Sequence, residues 1–372
     1  MAGEDPIRTK ETITSIQTFG VIADTLPAFA PALKKRLVFP LGWSKQVTDL
    51  SQWKACGRSK LWELTLQSPT ETEFQPEIVD EVDRGTYVAR KIALNLTHDS
   101  RVIALLLMPK GKGPFPAAVY YHDHGSTFDI GKEKVIESWD DEARLRSSKT
   151  WTERFFSGQY PGDELARRSY VVLATDALGW ADRGPLTYEA QQALAANFFN
   201  MGSSLAGLMA FEDTRAADFL ASLPQVDQQR LAAVGFSMGA FRAWQAAALS
   251  DRIKATVAVN WMATAEGLMV TGNNQLRGGS AWHMTHPGLL QYLDYPDVAS
   301  LAAPNPMLIF AGATDTLFPP ASVKDAFEKM RSVWEAWNAL DRLETKLWPG
   351  GHVFTADQQD YAYDWLNRQF GR

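Results

Sequence analysis

At 372 residues the chain has room for one large domain or two modest ones, at roughly 150 residues each, and a minimal binding peptide is excluded. Hydrophobic residues at 45% and charged residues at 22% exclude a disordered or fibrous chain. The 37 Lys plus Arg against 43 Asp plus Glu leave a formal charge of -6, which offers nucleic acid no general attraction, so nucleic acid is not an expected partner.

Cys56 is the single cysteine, which rules out an intrachain disulfide and a cysteine-built zinc site. The apolar runs Val102 to Met108 and Phe115 to Tyr121 fall far short of the roughly 18 residues of a membrane span, so no membrane partner is expected. The opening residues carry Glu4, Asp5, Arg8 and Lys10 without an apolar leader stretch. That favours the cytoplasm, or the periplasm or secretion if a leader has been removed.

Residues 1–80 mix short apolar segments with Pro27, Pro31, Pro40, Pro69 and Pro76, and read as an N-terminal extension of short helices and loops. The remainder, 81–372, reads as one catalytic domain. Its first elements are an antiparallel pair, with Val88, Ile92, Leu94 and Leu96 on one strand and Val102 to Met108 on the next. Short apolar runs then follow at Phe115 to Tyr121, Tyr170 to Thr175, Leu231 to Phe236, Ala255 to Val259, Met307 to Ala311 and Glu344 to Trp348. Nearly unbroken runs of this kind suit strands covered on both faces, hence a mostly parallel sheet.

Helices fill the spaces. One carries Leu205, Leu208, Met209, Ala216, Phe219 and Leu220, another Val323, Phe327, Met330, Trp334 and Trp337, each with an apolar stripe at helical spacing. Thr355 with Gln358 predicts a capping box ahead of a last helix whose buried side is Tyr361, Trp365 and Leu366. The fold class is α/β. Two connections, 126–169 and 260–306, are longer than a crossover needs, and both leave carboxyl ends of strands, where open α/β sheets bind ligands.

Gly235-Phe236-Ser237-Met238-Gly239 joins the strand ending at Phe236 to an Ala-rich helix over about 238–249. Strand, tight turn and helix are the setting that a nucleophile elbow requires, with Ser237 exposed at the helix start. A serine hydroxyl needs a base, and the base an orienting carboxylate. Of six histidines, His352 lies in a Gly-rich loop after the last strand, and Asp315 lies just past the strand ending at Ala311. The order Ser237, Asp315, His352 is that of the α/β-hydrolase triad. The oxyanion donors are then expected to be the backbone N–H groups of Met238 and, from the loop His122-Asp123-His124-Gly125-Ser126, of Ser126.

His124, Trp180, Arg183 and Trp261 are candidate substrate-binding residues, all near predicted strand ends. For Arg183 an ion pair with Asp182 or another acid is the competing reading, and for Trp261 ordinary core packing. His122 with His124, and His283 with His286, lack a third ligand at sensible spacing, so no metal site is expected.

Taken together these segments resemble the α/β-hydrolase superfamily, and within it the bacterial dienelactone-hydrolase and acetyl-xylan-esterase-like branch. The resemblance spans about 88–370 and rests on His122-Asp123-His124-Gly125 with Gly131-Lys132-Glu133-Lys134, on Asp163-Glu164-Leu165-Ala166-Arg167-Arg168, on Asp176-Ala177-Leu178-Gly179 and on the serine elbow. It implies an eight-stranded hydrolase sheet, a serine mechanism without cofactor, and a small-molecule or carbohydrate ester as substrate. Dienelactone hydrolases proper carry cysteine at the nucleophile position where this chain has Ser237. A serine peptidase of the same fold and a non-catalytic binding protein are the competing readings.

Overall fold

The fold is taken from a computed structural model that describes residues 22–23, 26–68, 72–271, 273 and 282–372. The main sheet contains β1 (Glu77–Asp83), β2 (Tyr87–Thr97), β3 (Ser100–Pro109), β4 (Phe115–Tyr121), β5 (Val171–Thr175), β6 (Val226–Phe236), β7 (Ala255–Val259), β8 (Met307–Gly312) and β9 (Leu343–Trp348). Its order is β9-β8-β7-β6-β4-β5-β3-β2-β1. The strands from β9 to β5 are parallel neighbours, whereas β5, β3, β2 and β1 pair antiparallel.

The sheet therefore has nine strands where eight were expected. The additional strand is β1, and the expected boundary at residue 80 falls inside it. Its sequence, Glu-Ile-Val-Asp-Glu-Val-Asp, gives no apolar alternation because nearly the whole strand is exposed. Charges suit such an edge: Glu81 pairs with Arg90 at 3.1 Å and Glu77 with Arg101 at 3.2 Å, which blunts the free hydrogen-bonding rim. Before the sheet, α1 (Leu50–Leu64) buries Trp53, Leu61 and Leu64 in the same core as the helices that pack on one face of the sheet. Arg58 Nε donates to Ala248 O at 2.8 Å and Lys54 Nζ to Ala303 O at 2.8 Å, fastening that helix down.

Side-chain alternation along the strands explains the layers. Ala117, Val119 and Tyr121 of β4 face one core, which also takes in α5 (Leu205–Ser222), α6 (Met238–Leu249), α7 (Tyr295–Ser300) and α8 (Pro320–Ala336). Ala118 and Tyr120 face the other, covered by α3 (Pro161–Arg167) and α9 (Ala356–Gln369). At the start of α9, Gln358 Oε1 accepts from the Thr355 N–H at 2.9 Å. The connection between β4 and β5 also holds α2 (Glu142–Phe155), and α4 (Tyr188–Asn200) follows β5. Among the described residues no helix is long and apolar enough to cross a membrane.

One buried ion pair fixes the helix on which the elbow opens. Arg242 of α6 donates from Nε and Nη2 to both carboxylate oxygens of Asp213 of α5, at 3.0 and 2.7 Å, and its guanidinium lies over the Tyr121 ring. Both partners are almost fully buried, so losing one leaves an uncompensated charge in the core. Asp213→Ala is expected to cost about 3–5 kcal/mol in a urea unfolding series, and an unchanged midpoint would contradict this.

Candidate active site

Crowding at the end of β6 leaves only one kind of turn. A Cβ on Gly235 would stand 2.1 Å from the Gly239 carbonyl oxygen, and one on Gly239 would stand 2.0 Å from that of Tyr121. Both positions must therefore lack a side chain, and the turn between them is forced tight. Ser237 sits there at φ 56° and ψ -126°, a backbone state that costs a non-glycine residue on the order of 1–3 kcal/mol. The cost is met by the surround: the Ser237 N–H donates to Val259 O at 2.8 Å, and its own carbonyl accepts from Ala240 N–H at 2.8 Å.

The other two groups come from the ends of β8 and β9, whose following loops are tied together. Ala313 N–H donates to Trp348 O at 2.8 Å and Thr314 N–H to Gly350 O at 2.9 Å. This brings His352 Nδ1 to 2.7 Å from Asp315 Oδ2, and His352 Nε2 to 2.9 Å from Ser237 Oγ. Asp315 is buried, and its second oxygen accepts from the Leu317 N–H at 2.9 Å. With a carboxylate accepting at Nδ1, the proton belongs on that nitrogen, and Nε2 presents a lone pair to the serine hydroxyl. Phe236 and Phe318 flank the imidazole at 4.8 and 6.3 Å between ring centres.

Ser237 and His352 open onto a cavity of about 560 Å³. Its walls are largely aromatic, with Trp151 and Phe155 one turn apart on α2, Tyr188 at the start of α4, and Trp261 and Phe318 opposite. Gly125, exposed Ser126 and buried His124 form the side nearest β4. Met238 is the first residue of α6, so its N–H has no intrahelical acceptor.

Residues 160–367, more than half of the chain, match the family model of the dienelactone hydrolases. The chain belongs to the dienelactone hydrolase family. It is 27% identical over 312 residues to YtaP of Bacillus subtilis strain 168, covering 84% of this chain and 98% of that one. In structure it is similar to a glucuronoyl esterase from Solibacter usitatus, with TM-score 0.64, 14% identity, and coverage of 90% of this chain and 97% of the other. It is also similar to acetyl xylan esterase 1 from Thermoanaerobacterium sp. JW/SL YS485, with TM-score 0.54, 15% identity, and coverage of 91% and 98%. The sheet and its helices are thus an α/β-hydrolase fold.

Within this dienelactone hydrolase family fold, two of the candidate substrate residues lie away from the cavity. Trp180 is fully buried behind the β4 loop, where its indole Nε1 donates to His124 O at 3.0 Å. Arg183 is held by both carboxylate oxygens of Glu212, by Ser100 Oγ at 3.0 Å and by Asp176 O at 3.1 Å, so it secures its loop and is not a cavity residue. The acid is Glu212, because neighbouring Asp182 pairs with Lys132 and Arg144. Trp261 and His124 do line the cavity. Trp261 Nε1 meets Met284 Sδ at 2.9 Å, and His124 Nδ1 lies 2.7 Å from Gly125 O.

The paired histidines are occupied within the fold. Burial pushes His122 well below its ordinary range, and its Nε2 accepts from Ala177 N–H at 3.0 Å. Burial also pushes His283 down to about 3 and His286 to about 4; His283 Nε2 lies 2.9 Å from Leu178 O, and His286 Nε2 2.8 Å from Gln245 Oε1. Among the described residues no group of three or more His, Cys, Asp or Glu could hold a metal ion.

Sequence reasoning missed Asn260, directly after β7. It adopts φ 59°, a left-handed state that asparagine tolerates better than most residues. Its buried side chain accepts from Gly312 N–H at 2.7 Å and donates to Val353 O at 2.9 Å. One amide thus clamps the strand end before Asp315 to the residue after His352. Asn260→Gly keeps the backbone state but strands both partners, and is expected to lose about 2–6 kcal/mol in a denaturant titration, at roughly 1–3 for each group left unpaired. A loss below about 0.5 kcal/mol would show that water replaces the clamp.

Proposed function

We propose that this protein is a serine hydrolase of carboxylic esters, working through an acyl-enzyme. The observation that carries the reading is the continuous chain from Ser237 Oγ through the His352 imidazole to the buried Asp315 carboxylate, at 2.9 and 2.7 Å. Ser237 Oγ attacks the ester carbonyl as its proton passes to His352 Nε2. Asp315 fixes the imidazole tautomer and stabilises the imidazolium. The carbonyl oxygen, now negative, is received by the Met238 N–H at the start of α6 and by an N–H of the Gly125–Ser126 turn. Collapse expels the alcohol, which takes the proton from Nε2. Water then enters, gives a proton to the same nitrogen and releases the acid, while Ser237 recovers its hydrogen.

The substrate side follows from the walls. An aromatic cavity of about 560 Å³ is large enough for a sugar-sized alcohol, whose apolar faces stack on rings such as Trp151 and Trp261. Similarity in fold to an acetyl xylan esterase supports a carbohydrate ester with a small acyl group.

Ser237→Ala is expected to lower kcat on p-nitrophenyl acetate by at least about 10⁴-fold with an unchanged melting temperature. Turnover within tenfold of the wild type would overturn the mechanism. In a graded acyl series, acetyl is expected to exceed butyryl and longer chains in kcat/KM, whereas a preference for long chains would reject the small-acyl assignment.

A further inference from the structure

The Gly131-Lys132-Glu133-Lys134 segment forms a single buried helical turn that takes no part in the triad. Its two lysines point to different tasks. Lys132 is enclosed by Asp176 and Asp182, each at 2.6 Å, and by Glu133 at 2.9 Å; burial alone would lower its ammonium, but the three carboxylates hold it above its ordinary value. That cluster anchors the turn.

Lys134 is equally buried but faces the β4 loop. Its Nζ donates to His124 O at 2.8 Å and to Asp123 O at 3.2 Å, with Asp123 Oδ2 at 3.7 Å and the Trp151 ring centre at 4.7 Å. The His124 carbonyl also accepts from the Trp180 indole, so two donors converge on one oxygen from the buried side. The following peptide is trans and planar, and its N–H, that of Gly125, must point opposite to that carbonyl. Gly125 lies on the cavity wall, and no acceptor for its N–H is present among the described residues.

We propose that Lys134 is a positioning residue for the oxyanion site: with Trp180 it pins the His124 carbonyl inward and so turns the Gly125 N–H to the cavity as the second donor beside Met238. The assignment moves that donor one residue ahead of Ser126, and it rests on the ester-hydrolase reading above. A charge-assisted bond to the carbonyl resists a peptide flip that would withdraw the donor, and it polarises the peptide so that the N–H donates more strongly. Buried Trp180 thereby acquires a task that its distance from the cavity would not indicate.

The test compares wild type, Lys134→Met and Trp180→Phe in hydrolysis of p-nitrophenyl acetate and in binding of phenylboronic acid, whose serine adduct places a negative oxygen where the oxyanion forms. Lys134→Met is expected to lose about 10²-fold in kcat, the scale of one lost oxyanion donor, with KM within threefold and boronate affinity falling in step with kcat/KM. Trp180→Phe, which removes one donor but keeps the ring, is expected to lose several-fold in kcat along with boronate affinity. A kcat for folded Lys134→Met within threefold of wild type, a loss carried by KM, or a kcat loss at unchanged boronate affinity would each overturn the proposal. If Lys134→Met fails to fold, Trp180→Phe decides alone, and wild-type kcat and boronate affinity in that variant overturn it. The ester-hydrolase reading fails separately, through an active Ser237→Ala.

Discussion

The backbone of Ser237 is held where an unsupported chain would not stay, and the rest of the architecture is arranged around keeping it there. A turn with φ 56° persists because β6 and α6 leave no alternative path, with glycines where the Tyr121 carbonyl and the turn's own backbone press in. Rigidity on both sides follows from packing. Every residue of α6 is buried, and the helix is locked by the Arg242 pair with Asp213. A hydroxyl in such a position is displayed at the carboxyl end of the strand, so the entropy of bringing it to His352 is spent during folding.

His352 and Asp315 arrive on separate loops, and their alignment is a problem in mutual restraint. Backbone bonds between the loops after β8 and β9 set their relative height, and the Asn260 amide fastens both to the end of β7. The imidazole is steered by Asp315 on one side and bounded by Phe236 and Phe318. On the opposite side of the serine, the loop after β4 is held from beneath by Lys134, Trp180 and His122, all fully buried. Polar groups packed this densely are tolerated in a core because nearly all of them find partners, and a satisfied network fixes geometry.

How much of this was legible from residues depends on whether a feature is governed by local pattern. Ser237, Asp315 and His352 could be singled out because apolar runs mark strand ends, and strand ends on one side of a parallel sheet converge whatever the helices do. The parallel strands were legible for the same reason. The ninth strand was not, since an exposed edge such as β1 needs no apolar face and therefore leaves no periodic trace. Trp180 and Arg183 follow β5 closely enough to suggest the cavity, but the loop turns behind His124, and no residue spacing distinguishes above from behind. Tyr188 and Arg154 on the cavity wall, like Asn260, owe their places to tertiary contacts between segments far apart in the chain.

Covalent acylation of Ser237 during turnover is tested by mass spectrometry of protein quenched in acid milliseconds after mixing with an acetyl ester. A gain of one acetyl group on the peptide that contains Ser237, formed and lost at rates that account for steady-state hydrolysis, is the predicted result. Turnover with no acylated protein at any time, or with the acyl group on another residue, would rule out Ser237 as the nucleophile.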